Sequence, residues 1–188
     1  DVSNYNVTDQ TSTTANISAK ALTATASASN KVYDGSSAAT STLNLSGFVG
    51  SETVTSTNTS TFNNKNAGTG KTVTVNSITL ADGSNGGLAA NYSISTGLTT
   101  TANVTAKALT VSGITASNKV YDSTTNATTV LSFSGLIGSE TINNTNSSTF
   151  DNKNIGTGKT VTVNSITLVD GSNGGLASNY SILSLIHI

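Results

Sequence analysis

The chain repeats itself at long range. Tyr33, Glu52, Phe62 and Tyr92 recur as Tyr121, Glu140, Phe150 and Tyr180, each 88 positions further on. The run TGKTVTVNSITL at Thr69–Leu80 returns unchanged at Thr157–Leu168. Upstream, AKALT at Ala19–Thr23 returns at Ala106–Thr110 after only 87 positions, so the second copy gained one residue before the pentapeptide NKVYD. Asn4-Tyr5 and Thr14–Ile17 likewise match Asn91-Tyr92 and Thr101–Val104. A period this long means that the fold is a unit of about 88 residues used more than once. Residues 1–18 read as the tail of a preceding unit, 19–105 as a complete unit and 106–182 as a second, incomplete one. After NYSI the first unit continues STGL, whereas the second continues Leu183-Ser184-Leu185-Ile186-His187-Ile188. Residues 183–188 are therefore read as a non-native tail, and the single histidine, His187, is given no role. A register that opens inside a unit, with no recognisable leader, reads as a piece of a longer chain.

Within a unit, apolar residues alternate in short runs separated by Gly, Asn, Asp and Ser, the pattern of half-buried strands joined by turns. Leu43 and Leu45 share a face before Ser46-Gly47 ends the run, and Gly50-Ser51 reads as a tight turn. Val73 and Val75 fall on one parity and Ile78 and Leu80 on the other, so a bulge near Asn76-Ser77 is needed to put all four on one core face. Six or seven such strands in about 90 residues predict an all-β, immunoglobulin-like or related β-sandwich. ANVTAKALT at Ala102–Thr110 has no flexible break, so the last strand of one unit runs into the first of the next and the sandwiches form an elongated rod. No period of 20–30 residues is present, which sets aside a β-solenoid.

Composition excludes several functions. Charged residues are 9% of the chain, the net charge is -1, and every basic side chain is Lys. A nucleic-acid surface would show a basic face with Arg, so no nucleic acid is expected. No run of about 20 apolar residues spells direct membrane insertion. Cys, Pro, Met and Trp are absent, which removes a disulfide framework, thiolate metal sites and a cysteine nucleophile. Without a usable His or a carboxylate pair, no catalytic residue, cofactor or metal ligand is assigned and no enzyme is expected.

The motifs that look chemical mostly have plainer readings. Gly68-Thr69-Gly70-Lys71-Thr72 resembles the end of a phosphate loop, but position 65 is Lys and the segment that follows is a strand pattern rather than a helix. Asp82-Gly83-Ser84-Asn85-Gly86-Gly87 offers oxygens to Ca²⁺, with too few carboxylates for a tight site. Glu52 and Glu140, one per unit, are the only glutamates. Either could assist a Lys–Asn amide cross-link using Lys31, Lys65 or Lys71, but the simpler expectation is a solvated turn glutamate. In NKVYD, alternation puts Lys31 and Tyr33 on one face with Val32 opposite. Asp34 is expected to accept backbone amides in the next turn, and Tyr33 to bury its ring while its hydroxyl finds a polar partner. Lys31, Tyr33 and Asp34, with Lys119, Tyr121 and Asp122, are thus read as the architectural signature of each unit.

AKALT, NKVYDG, SGxxGSET at Ser46–Thr53, FxNKNxGTGKTVTV at Phe62–Val75 and NYSI together resemble the YDG-type repeat, related to MBG-type β-repeats, of large filamentous-haemagglutinin-like bacterial exoproteins. The second copy, reading YDS at Tyr121–Ser123, departs from that pattern. The resemblance implies tandem arrays in secreted, outer-surface adhesins of cell adhesion and biofilm, and supplies no catalytic residues. The expected function is therefore a structural stalk whose partners are neighbouring repeats of the same chain. The alternative is a repeat module binding host or biofilm glycans or proteins.

Overall fold

The computed structural model describes residues 2–4, 6 and 12–183. Tyr5, His187 and all but the first residue of the divergent tail lie outside the described residues.

The first unit builds two layers. One holds β1 (Lys20–Ala21), β2 (Thr23–Ala28), β5 (Ser41–Ser46) and β8 (Tyr92–Ser93). β1 and β2 form one line of chain interrupted at Leu22; β1 pairs in parallel with β8, and β2 antiparallel with β5. The other layer is a five-stranded sheet. It uses β3 (Lys31–Val32), β4 (Ala38–Ala39), β6 (Val54–Phe62), β7 (Gly68–Asp82) and β9 (Thr99–Thr105), in the order β3-β9-β7-β6-β4. Leu22, Tyr92 and Leu45 from the first layer meet Val54 and Leu80 from the second. Each such side chain contributes about 1.5–3 kcal/mol when fully buried.

The parity problem is solved where the sequence required it. The β6–β7 register shifts between Thr59 and Ser60, skipping Asn76 on the facing strand. Val73 and Val75 are fully buried, and Ile78 and Leu80 are half-buried on the same side. The second unit repeats the shift between Ser147 and Ser148.

The second unit uses β10 (Lys107–Ala116), β11 (Asn126–Ala127), β12 (Thr129–Ser134), β13 (Ile142–Phe150), β14 (Val161–Asp170) and β15 (Tyr180–Ile182). β10 does the work of β1 and β2 together: Lys107–Leu109 pair in parallel with β15, and Thr110–Ala116 antiparallel with β12. The residue gained in this copy appears as a β-bulge, the register jumping between Val111 and Gly113. A bulge absorbs an insertion without turning the rest of the strand inside out. The second layer is shorter, β11-β13-β14. Among the described residues, no strand fills the place that β9 occupies in the first unit. The chain is thus all-β, two β-sandwich units in tandem, with Ala106 alone between β9 and β10.

The Asp82–Gly87 loop folds back on Thr53. A Cβ at Gly83 or Gly87 would lie 2.1 or 1.9 Å from the Thr53 carbonyl oxygen, and the second unit matches this at Gly171 and Gly175 against Thr141. The obstacle is backbone and cannot swing aside. Gly87→Ala is expected to cost about 2 kcal/mol by overpacking, read as a lower urea midpoint. Gly86→Ala meets nothing within 4 Å and pays only for its left-handed backbone.

Candidate functional site

The NKVYD segment does two separate jobs. The first is a local clasp. Lys31 Nζ donates to Asp34 Oδ1 (2.8 Å) and to the carbonyls of Ser36 (2.7 Å) and Ala38 (2.9 Å), while Asp34 also accepts the Ser36 N–H (2.9 Å). The ammonium sits 5.6 Å from the centre of the Phe62 ring. All three ammonium donors are satisfied, and the turn after the strand is closed by its own aspartate, as Asx residues do. Lys119, Asp122, Thr124 and Phe150 reproduce the arrangement. Lys119 and Thr124 hold the Asp122 carboxyl at about 2; burial pushes Asp34 up, but Lys31 and the Ser36 N–H together bring it below its ordinary value. Asp34→Ala is expected to cost about 1 kcal/mol, and urea melts of Asp122→Ala should move in the same direction.

The second job belongs to the tyrosine. Tyr33, 1% exposed, lies where the second unit meets the first. Its ring packs edge-on against Tyr180, centroids 5.5 Å apart, and its hydroxyl donates to Glu140 Oε1 (2.6 Å). Lys65 Nζ donates to the same oxygen (2.8 Å), and the Tyr180 hydroxyl to Oε2 (2.7 Å). Glu140 is 7% exposed. Beside this knot, Asn179 is fully buried. Its Oδ1 accepts the Ala67 N–H (2.8 Å) and its Nδ2 donates to Asn66 Oδ1 (3.2 Å). The first unit thus supplies Tyr33, Lys65, Asn66 and Ala67, and the second Ile137, Glu140, Asn179 and Tyr180. An added Cβ on Gly35 would approach Ile137 Cγ2 to 2.8 Å, so the glycine lets the two surfaces close.

β9 completes the junction from below. It lies between β3, in parallel, and β7, antiparallel. Asn103 ties it to both, its N–H donating to Asn30 Oδ1 (2.7 Å) and its Oδ1 accepting the Gly70 N–H (2.8 Å). Ala102 and Val104 are buried with Tyr33, Phe62 and Val73 in a core that continues to Leu109 and Tyr180 of the second unit.

Burial pushes the Glu140 carboxyl up, but hydrogen bonds from Lys65, Tyr33 and Tyr180 outweigh it and hold the group below 4.5. Burial and then Glu140 push Tyr180 up to about 12; Tyr33 rises for the same reasons. With the folded carboxyl below its unfolded value, its contribution is present above pH 4.5 and is lost as pH falls through the lowered value. Denaturation midpoints should therefore drop on the acid side of pH 4.5, and Glu140→Gln should flatten that limb.

Two expectations from the sequence need correction. Glu140 is not a solvated turn glutamate: the preceding unit covers it. Glu52, its counterpart, is half-buried and, among the described residues, accepts from Tyr92 alone. Tyr121 does not follow Tyr33 into a core; it is 56% exposed, because no unit stands beyond it among the described residues. The other motifs have structural partners. Asp82 Oδ1 accepts the Ala89 N–H (2.8 Å), closing the Gly-rich loop. Lys71, on β7, donates to Asn64 Oδ1 and is lowered by burial. Of the lysines weighed for a cross-link, Lys31 and Lys65 direct their ammoniums to carboxylates. Asn179 is the residue that sequence reasoning missed; Glu140 and Lys65 were both singled out, but not as an ion pair across the joint.

Two sandwiches in tandem, joined by a continuous core and a buried polar knot, define a tandem-repeat protein. The chain belongs to the YDG domain family, which matches it twice, over residues 18–102 and 105–186. The gap between the two matches falls inside β9. No curated protein and no solved structure matches the chain.

Proposed function

We propose that this chain is part of the stalk of a secreted, filamentous-haemagglutinin-like bacterial surface adhesin, where its units act as spacers and carry out no catalysis. The observation that supports this reading is the junction itself. β9 closes the first unit's sheet and passes into β10 through Ala106 alone, its Ala102 and Val104 lie in a core that reaches Leu109 and Tyr180 of the second unit, and Glu140 is held by side chains from each unit. A joint of this kind fixes the angle between neighbours, which a spacer needs and a flexible string of binding modules does not. The neighbours of each unit are then its principal partners, and the place of work is the outer surface of the cell.

Small-angle scattering of the two-unit chain should fit one docked arrangement across salt concentrations, and a glycan array probed with it should stay blank. Specific capture of a glycan class would replace the spacer reading with that of a binding module. The parent reading frame should encode an export signal and further copies of the unit; a single isolated pair in a protein lacking export signals would count against the stalk.

A further inference from the structure

One lysine of the first unit is buried without a counter-charge. Lys71, on β7, is 9% exposed and, among the described residues, pairs with no carboxylate. Lys31, Lys65, Lys119 and Lys159 each have one. A buried ammonium with nothing to balance it gives up its proton more readily, and burial accordingly lowers Lys71 below its ordinary value. Losing the proton leaves a free amine, whose lone pair makes it a nucleophile.

The one partner of this amine is an electrophile. Nζ lies 2.5 Å from Asn64 Oδ1. With a C=O bond of about 1.23 Å, the amine is then no further than about 3.7 Å from Asn64 Cγ. Reacting atoms held for attack stand about 3–3.5 Å apart. The Asn66 N–H donates to the same Oδ1 (3.0 Å), the oxygen on which charge gathers when the carbonyl is attacked. Asn64 is exposed, and its Nδ2 has no hydrogen-bond partner among the described residues, so a leaving group there opens onto solvent.

We propose that Lys71 and Asn64 join in an amide cross-link. The neutral Nζ bonds to Cγ while the carbonyl electrons move onto Oδ1, where the Asn66 N–H holds them. A proton passes through water from Nζ to Nδ2, the Cγ–Nδ2 bond breaks, and the carbonyl re-forms as ammonia departs. One amine and one primary amide become one secondary amide and one ammonia, with nothing oxidised or reduced. The uncompensated charge of the buried lysine disappears in the reaction. Neither glutamate takes part: Glu140 is held by Lys65, Tyr33 and Tyr180, and Glu52 by Tyr92.

The second unit shows what prevents the reaction. Lys159 Nζ sits at the same 2.5 Å from Asn152 Oδ1. Asp151 stands where the first unit has Asn63, however, and its carboxylate lies 3.0 Å from Lys159 Nζ. The carbonyls of Asn152 (2.7 Å) and Asn154 (3.0 Å) accept from the same ammonium. A lysine kept charged in this way has no lone pair to attack with, so one link per chain is expected rather than two.

The link braces the joint. Asn64 and Lys71 bracket the turn between β6 and β7, which carries Lys65, Asn66 and Ala67 to Glu140 and Asn179. Closing that short loop covalently leaves those residues less freedom to lose when the second unit docks. The inference does not rest on the stalk reading, since both residues belong to one unit.

Mass spectrometry of the whole denatured chain tests this. The parent should be lighter than its sequence by one ammonia. A tryptic digest should yield a branched peptide joining Asn64 to Lys71, uncut after Lys71 although the chain is cut after Lys159. Asn64→Ala, at an exposed position, should recover the full mass, whereas Asn152→Ala should stay light by one ammonia. Asn85 and Asn173 would also lose ammonia on cyclising onto Gly86 and Gly174; hydroxylamine cleaves the chain at such rings and leaves a secondary amide intact. A parent of full mass overturns the proposal, as does a deficit that maps to Asn85 or Asn173, or a branched peptide at Lys159 instead of Lys71.

Discussion

Tyr33→Ala is expected to lower the unfolding free energy by about 4 kcal/mol, while Tyr121→Ala leaves it within about 0.5 kcal/mol in dilute solution. The two tyrosines occupy the same place in NKVYD, and each stands beside a closed Lys–Asp clasp. They differ in surroundings: Tyr33 is 1% exposed and Tyr121 56%. Removing the Tyr33 ring empties a site bounded by Tyr180, Phe62 and Val104 and takes a donor from Glu140. The edge-on contact with Tyr180 alone accounts for about 1 kcal/mol of the loss. Urea titrations of both variants, side by side, make the measurement. Equal effects would mean that the second unit does not pack on the first in solution.

Glu140→Ala should cost about 3 kcal/mol, and Glu52→Ala much less. Deleting the carboxylate strands two tyrosine hydroxyls and the Lys65 ammonium that converge on it. Breaking a buried charge pair from one side costs roughly 3–5 kcal/mol. The lower end applies here because the Lys65 side chain is 39% exposed and can turn its charge to water. Glu140→Gln keeps the shape and one acceptor but turns an amide donor toward other donors, so it should fall between parent and Ala. For Glu52, the only donor among the described residues is Tyr92. A Glu52→Ala loss as large as that of Glu140→Ala would show that the knot does not depend on the neighbouring unit.

What could be read from the sequence was what each unit does within itself. The bulge at Asn76 followed from a parity conflict among Val73, Val75, Ile78 and Leu80, because a pleated strand leaves no other way to bury all four. The Asp34 turn followed from local side-chain chemistry. Glu140 was misread because its burial depends on residues 75 and 107 positions away, Lys65 and Tyr33. In GSET, a polar tetrapeptide beside a turn, nothing local distinguishes a covered glutamate from a solvated one. The usable signal was combinatorial: every unit carries one Glu, one NKVYD tyrosine and one NYSI tyrosine, each needing a partner that its own strand does not supply. Asn179 escaped for the same reason, since its partners, Asn66 and Ala67, belong to the other unit.

The placement of β9 also decides how the joint would respond to tension. β9 passes into β10 through Ala106 alone, so a pull that separates the units draws β9 out lengthwise from between β3 and β7. Its ladder bonds run across that direction and are strained together, whereas a hairpin peeled from its tip gives up its bonds one after another. Stretched, the joint between these two units resists in shear, and the first event on overload is the slipping of β9 from the first unit's sheet, before the ladder of β6 and β7 or the second unit gives way.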